Sequence, residues 1–337
     1  MKYTTEKKQT IILYILDKIE ADVPSLSKVV SDTFNISTNT VHTYLNELIE
    51  RGIIEKQKRG KYKLVNTYLK YTFKRSAGEL VSDTLPYETC LEKEIKHLSE
   101  NVQRIWAYGL SEMVNNVIDH SNAENMQMII IQNYLTTNVL LIDDGVGIFE
   151  KIKNHFKLPS LDEAICELFK GKLTTDEANH SGEGIFFTSK MMDDFLISSS
   201  GKIFTTSKFE EDKIFDISNN TEGTCVLMSL SNFTHRIPKE IFDQYSDVDG
   251  GFVTTKIPLK NIFDAAPVSR SQAKRVCNRL ENFSEAILDF DGIEWMGQGF
   301  AHQIFVVFKN AHPEISIVPQ NMNDSVESMY NHVVNTN

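Results

Sequence analysis

The spacing of apolar residues passes through three patterns along the 337-residue chain. In the first seventy residues it is helical: "KKQTIILYILDKIE", "SLSKVVSDTF" and "STNTVHTYLNELIERG" each read as a helix. In the third, Val41, Leu45, Leu48 and Ile49 recur three and four residues apart, the spacing of one buried face. Ser37 stands where an N-cap acceptor belongs, and Gly52 where a helix exits through the left-handed region. "IIEKQKRGKYKLV" then predicts two short strands turning at Arg59–Gly60. Residues 66–100 are mixed in character, with a turn signal at Leu85–Pro86, and end in a helix.

A second pattern runs from Glu92 to Asn232. "SEMVNNVIDHS" predicts a helix with Met113, Val117 and Ile118 toward a core and Glu112, Asn116 and His120 aligned on one side. "NVLLI" reads as a buried strand that ends at Asp143 within "IDDGVGI". "HSGEGIFFTSK" opens a helical run through "IFFTSKMMDDF", and "EGTCVLMSL" is an apolar strand beginning at Thr224. From about Gly250 the pattern alternates: "GFVTTKIPL" is a strand, "SRSQAKRVCNRLENF" a helix and "EAILDFDGI" a strand. "GQGFAHQIFVVFKNA" is then a helix, "EISIVPQN" a strand and "DSVESMYNHVV" a last helix, which suggests a small α/β layer.

Length and an ordinary apolar fraction of 41% predict two or three domains. The four scattered cysteines, with no CxxC pair, argue against a disulfide framework or a zinc site. The opening "MKYTTEKKQT" lacks a signal-peptide core and no apolar run suits a membrane span, so the expected location is cytoplasmic. Charge is unevenly shared. Residues 1–70 hold 12 Lys and Arg against 8 Asp and Glu, a net of +4, whereas the whole chain carries −11. A basic head on an acidic body is the pattern of a nucleic-acid-binding arm.

The four central segments suggest a pocket for ATP and a divalent metal. Asn116 offers a hard oxygen of the kind Mg²⁺ accepts when phosphates and waters fill its octahedron. Glu112, one turn back, is placed to orient or deprotonate a water. Asp143 at a strand end is suited to accept from a purine amine, and Gly145 and Gly147 let backbone approach a flat base. Gly182 and Gly184 precede a helix whose exposed amides suit phosphate, and the Thr224 hydroxyl would close the adenine end. His120 reads as a structural hydrogen bonder rather than a catalyst.

In order and spacing these segments are similar to the N box, the two glycine boxes and the final threonine box of the GHKL ATPases. That family includes gyrase B subunits, histidine kinases and MutL-type repair proteins. The resemblance implies a Bergerat ATP-binding fold, Mg²⁺ on Asn116, adenine on Asp143, and an ATP lid from Phe149 to Ser181 that includes "KGKLTTD". It makes Glu112 the water-activating residue. No histidine-kinase dimerisation helix with an H-box precedes Glu92.

The head resembles a winged helix-turn-helix. Thr38, Asn39, Thr40, His42 and Thr43 are its base-reading candidates, and Lys56, Lys58, Arg59, Lys61 and Lys63 on the hairpin are its phosphate-binding candidates. A winged helix used for protein contact or dimerisation is the alternative. The run "ILDFDGIEWMGQGFAHQIF" resembles a STAS domain, most closely the STAS-like (DUF4325) type that bacteria attach to Bergerat ATPases. STAS anti-anti-sigma factors carry a phosphorylatable Ser at the turn into the helix. Here that turn reads Gly297, Gln298, Gly299, and no Ser or Thr occurs from Glu285 to Glu314. Arg270, Lys274, Arg275 and Arg279 fall near one helical stripe, which reads as a solvated face, with an acidic partner or phosphate as the alternative.

The expected architecture is α/β multidomain: a winged-helix head (1–70), a linker (71–91), a Bergerat α/β sandwich ATPase core (92–235) and a small α/β STAS-like domain (250–335). The expected function is that of a bacterial-type regulator, an ATP hydrolase whose slow turnover resets its domain arrangement. Its expected partners are ATP, Mg²⁺, duplex DNA and a protein partner of the STAS-like domain, with a homodimer left open and no membrane. An anti-sigma-like protein kinase or partner-switch protein is one alternative. A non-hydrolysing nucleotide-dependent module in stress or phage defence is another.

Overall fold

A computed structural model describes residues 5–173, 182–206, 223–249, 251–263 and 265–335. Part of the expected lid, including Thr174–Asp176, lies outside the described residues, as do His180, Ser181 and Glu222. The chain is a mixed α/β protein, with three sheets among the described residues. It divides into two compact units, Met1–Lys70 with Ile129–Val139 and Ser229–Thr234, and Tyr71–Met128 with Leu140–Met228 and His235–Asn337.

In the first unit, α1 (Thr5–Glu20), α2 (Leu26–Phe34) and α3 (Thr38–Glu50) precede a hairpin of β1 (Ile54–Lys58) and β2 (Lys61–Leu64). Helix α3 begins where Ser37 accepts from the Thr40 N–H at 3.1 Å. It ends as a Schellman motif: Gly52 at φ +67° donates to the Ile49 carbonyl, and the Ile53 amide reaches back to that of Leu48. Val41, Leu45 and Leu48 are fully buried, and Ile49 packs at the edge of the same core. Ile11, Ile15, Leu16 and Val30 fill the rest of it. The antiparallel hairpin pairs Lys58 with Lys61 across Arg59–Gly60. Tyr134 and Leu135 pack against this core, and Gln9 donates to the Tyr134 hydroxyl at 3.3 Å.

The largest sheet contains β3 (Thr67–Lys74), β4 (Asn125–Gln132), β5 (Thr136–Asp143), β6 (Asp194–Ser199), β7 (Lys202–Thr205) and β8 (Thr224–Ser231). Its order is β3-β4-β5-β8-β6-β7. β3 thus starts inside the stretch expected to belong to the head and ends inside the expected linker. Strand β5 alternates buried and half-buried positions, as a strand covered mainly on one face should.

In the second unit, α4 (Glu100–Asn116) continues into one π-helical turn, Val117–Ser121, and stops at left-handed Asn122. The carbonyls at this widened end are capped by Arg75, whose guanidinium donates to Val117, Ile118 and Ala123. Helices α5 (Ile148–His155), α6 (Leu161–Lys170) and α7 (Gly184–Met191) follow. The helical run expected through Phe195 stops earlier. Met192 leaves the helix in an extended conformation, and the consecutive apolar residues Phe195, Leu196 and Ile197 form buried strand β6 instead.

After α8 (Pro238–Tyr245), three parallel strands, β9 (Thr254–Pro258), β10 (Glu285–Asp289) and β11 (Ser316–Gln320), order as β11-β10-β9. Helix α9 (Arg270–Cys277) opens with a capping box, Ser269 with Gln272. Helix α10 (Gln298–His302) runs on through helical residues to Ala311, and α11 (Asp324–Asn335) is the last element. At the turn into α10, Gly297 donates to the Pro267 carbonyl, and a Cβ there would lie 2.6 Å from the Val268 oxygen.

That contact yields a test. Gly297→Ser should destabilise the chain by about 1–3 kcal/mol through overpacking, although serine is a good N-cap. Gly299→Ala, whose added Cβ would meet the Val268 oxygen at 3.4 Å, should be neutral or stabilising. Urea denaturation of both variants measures the contrast.

Candidate functional site

Strand β5 ends at Asp143, which is only 5% exposed. Its carboxylate accepts from the Gly145 amide at 2.9 Å and from the Thr224 amide. The Thr224 hydroxyl in turn accepts from the Ile148 amide at 3.1 Å. The ends of β5 and β8 and the start of α5 therefore meet at one point. Burial pushes the Asp143 carboxyl up to about 6, against the pull of its two amide donors.

The glycines flanking this point mark close approaches. A Cβ on Gly145 would fall 2.2 Å from the Ser121 carbonyl oxygen, and one on Gly147 would fall 2.2 Å from Ser199 Oγ. Gly182 sits at φ +71° with its carbonyl accepting from the Leu173 amide. Gly184 opens α7 directly against Glu112, whose Oε2 would lie 2.0 Å from an added Cβ. Tyr108 is raised above its ordinary value by burial, then by the carboxylates of Glu112 and Glu183.

Asn116, His120, Asp143, Lys151 and Thr224 line a cavity of about 70 Å³ whose apolar wall includes Met113, Ile148, Leu168, Leu173 and Val226. Three expected site residues, Asn116, Asp143 and Thr224, are thus brought together, and Gly145, Gly147, Gly182 and Gly184 flank them at the approaches described. Glu112 is outside the cavity lining, one turn back along α4. Lys151 is the site residue the sequence reading missed. Its ammonium donates to the His120 carbonyl at 2.7 Å, and burial lowers its pKa. The signal available was its place in the first turn of the helix that follows "DDGVGI".

A second group lies on the first unit. Thr38, Asn39, His42 and Thr43 are exposed on α3, while the half-buried Thr40 hydroxyl is engaged with the N-cap Ser37. Lys56, Lys58, Arg59, Lys61 and Lys63 are exposed on the hairpin. Lys61 is bound to Asp22 at 2.7 Å, an exposed pair of small energetic weight.

The parallel β9–β11 layer, with α9 and α10 beside it, completes the picture. Residues 272–327 match the STAS-like domain of unknown function (DUF4325). No curated protein matches the chain. In the STAS-like domain the expected basic stripe is not one helical face, because α9 ends at Cys277 and Arg279 turns to φ +59°. Arg270 and Lys274 are exposed, but Arg279 lies over the Phe156 ring at 4.4 Å and faces Glu167 at 3.5 Å. Among the described residues, no group of three or more His, Cys, Asp or Glu side chains could hold a metal ion. No described helix is long and apolar enough to cross a membrane.

The Asp143 environment predicts a pH dependence. Its folded pKa lies above the ordinary 3.8, so the native state binds the extra proton. Its stabilising contribution is complete below about pH 4 and is lost as pH rises through about 6. Asp143→Asn should remove this loss. Relative to the unaltered protein, the variant should gain on the order of 1–3 kcal/mol between about pH 4 and about pH 7, read from urea unfolding at both values.

Proposed function

We propose that the chain is an ATP-dependent regulator: a winged helix-turn-helix head, a Bergerat-type nucleotide core of the GHKL kind, and the STAS-like domain as its output. One observation carries the reading. Asn116, Asp143 and Thr224 come from three separated sequence motifs and converge on one cavity. A buried carboxylate beside a glycine turn suits the exocyclic amine of adenine as a hydrogen-bond donor.

The donor set also fits Mg²⁺. That ion takes few protein ligands when phosphate oxygens and waters complete its octahedron, and Asn116 offers one amide oxygen at the cavity. When bound, the ion would neutralise phosphate charge. The N-terminal amides of α7, after Gly182 and Gly184, are suited to hold phosphate oxygens. Glu112, beside that helix start, would orient a water and take its proton. A second reading, binding without turnover, is favoured by the position of Glu112 outside the cavity lining.

For the head, the exposed polar start of α3 and the five exposed cations of the hairpin support duplex DNA as the ligand, with α3 reading bases and the wing holding phosphates. Nucleotide state would then set how the chain engages DNA or a protein partner.

Two measurements test this. In calorimetry, Asp143→Asn should weaken ATP binding by about 1–3 kcal/mol, because an amide donor would face the adenine amine. Glu112→Ala should keep ATP and lose phosphate release by roughly 10²–10⁴-fold. Unchanged affinity in the first variant removes the adenine assignment, and full turnover in the second removes the base. For DNA, the paired Lys58→Ala and Arg59→Ala change in the full chain should flatten the salt dependence of duplex binding by about two units of log–log slope. An unchanged slope in a fluorescence titration would point to a protein-contact winged helix.

A further inference from the structure

We infer that α6 is a relay between the cavity and the STAS-like domain, with Lys170 as its lock on that domain; the identity of the cavity ligand rests on the nucleotide reading above. The helix has two faces with different partners. On one, Leu168, together with Leu173 just past the helix end, forms wall of the cavity. On the other, Glu167 and Lys170 pair at 2.7 Å with side-chain exposures of 3% and 1%.

The pair is fastened to the STAS-like domain at its first helix. The Lys170 ammonium donates to the carbonyls of Arg275, at 3.1 Å, and of Asn278. These carbonyls lie at or just past the end of α9, where no further helical amide follows to satisfy them, so a cation from α6 acts as the cap. Glu167 accepts from the Asn278 side chain at 3.0 Å and faces Arg279. The Lys170 carbonyl accepts from the Thr255 hydroxyl of β9 at 2.7 Å, which ties the helix end to the parallel sheet as well.

This arrangement resists partial release. An ammonium in a dry site cannot shed one partner at little cost, so the contacts hold or break together. The cavity supplies the other half of the argument. Leu168 and Leu173 belong to its wall, so a nucleotide seated there bears directly on the reverse face of the locked helix. Occupancy and the Lys170 lock are thus linked, and the linkage acts in both directions.

Hydrogen exchange of the full chain, read by mass spectrometry, tests the relay. Two variants are compared with the unaltered protein: Lys170→Met, and the double variant Glu167→Leu with Lys170→Met. The double variant removes both charges, so that, unlike Lys170→Met alone, it leaves no buried carboxylate without its ammonium. With Mg·ATP as probe, exchange over residues 270–283 should change by about fivefold or more in the unaltered protein. In both variants that response should vanish while calorimetry still detects ATP. An absent response in the unaltered protein, or an equal response in the variants, overturns the relay and leaves the nucleotide reading intact. If ATP binds none of the three proteins, the nucleotide reading fails, and the ligand-free comparison decides the relay. Lys170→Met alone must then speed exchange over residues 143–152, and unchanged exchange there overturns it.

Discussion

The Asp143 carboxylate holds the turn out of β5 and the first residue of β8 at one point, through the amides of Gly145 and Thr224. The surrounding backbone is too crowded to be arranged otherwise. A Cβ on Gly223 would meet the Asp143 carbonyl at 2.1 Å, and the end of α4 presses on Gly145 through Ser121. A buried acid with two backbone donors costs stability at neutral pH. It also fixes where the Thr224 hydroxyl meets the start of α5. The cavity floor follows from that one anchoring.

Two kinds of contact bind the cavity's outer elements to the C-terminal layer. One is apolar: Phe186 of α7 packs on Tyr245 at 5.0 Å and on Phe252 at 4.6 Å, and Phe252 meets Phe283 at 5.3 Å. Such aromatic pairs contribute about 0.5–1.5 kcal/mol each beyond their buried area. The other is polar, around Glu167 and Lys170. The apolar seam contributes buried area and ring contacts, while the polar set has one geometry in which all its groups are satisfied.

Local chemistry was legible where neighbours in sequence make the structure. Ser37, the Val41–Leu45–Leu48 stripe, Gly52 and the Arg59–Gly60 turn all act within a few residues of themselves, and each was readable. Asp143 at a strand end was readable for the same reason, since the apolar run before it announces the strand. What escaped depends on distant partners. Lys170 stands in "KGKLTTD", which looks like a polar loop, yet its ammonium is buried against carbonyls more than a hundred residues away. Arg279 looked like part of a solvated stripe because nothing local shows that α9 ends at Cys277. The match of residues 272–327 to a STAS-like domain was visible in "ILDFDGIEWMGQGFAHQIF", a run whose strand, turn and helix are contiguous.

The π-helical turn at Val117–Ser121 has a consequence for descent. Such a turn adds one residue to an α-helix without shifting what lies before it. Asn116 and everything upstream keep their helical phase, while Ser121, Asn122 and the exit toward β4 move on by one position. Aligned with a relative whose helix stays regular, this chain would require a one-residue gap between Asn116 and Ser121. Arg75, which holds the widened carbonyls, would have no counterpart duty there. Turn and cap depend on each other: losing the extra residue would strand the arginine, and losing the arginine would leave the widened turn uncovered.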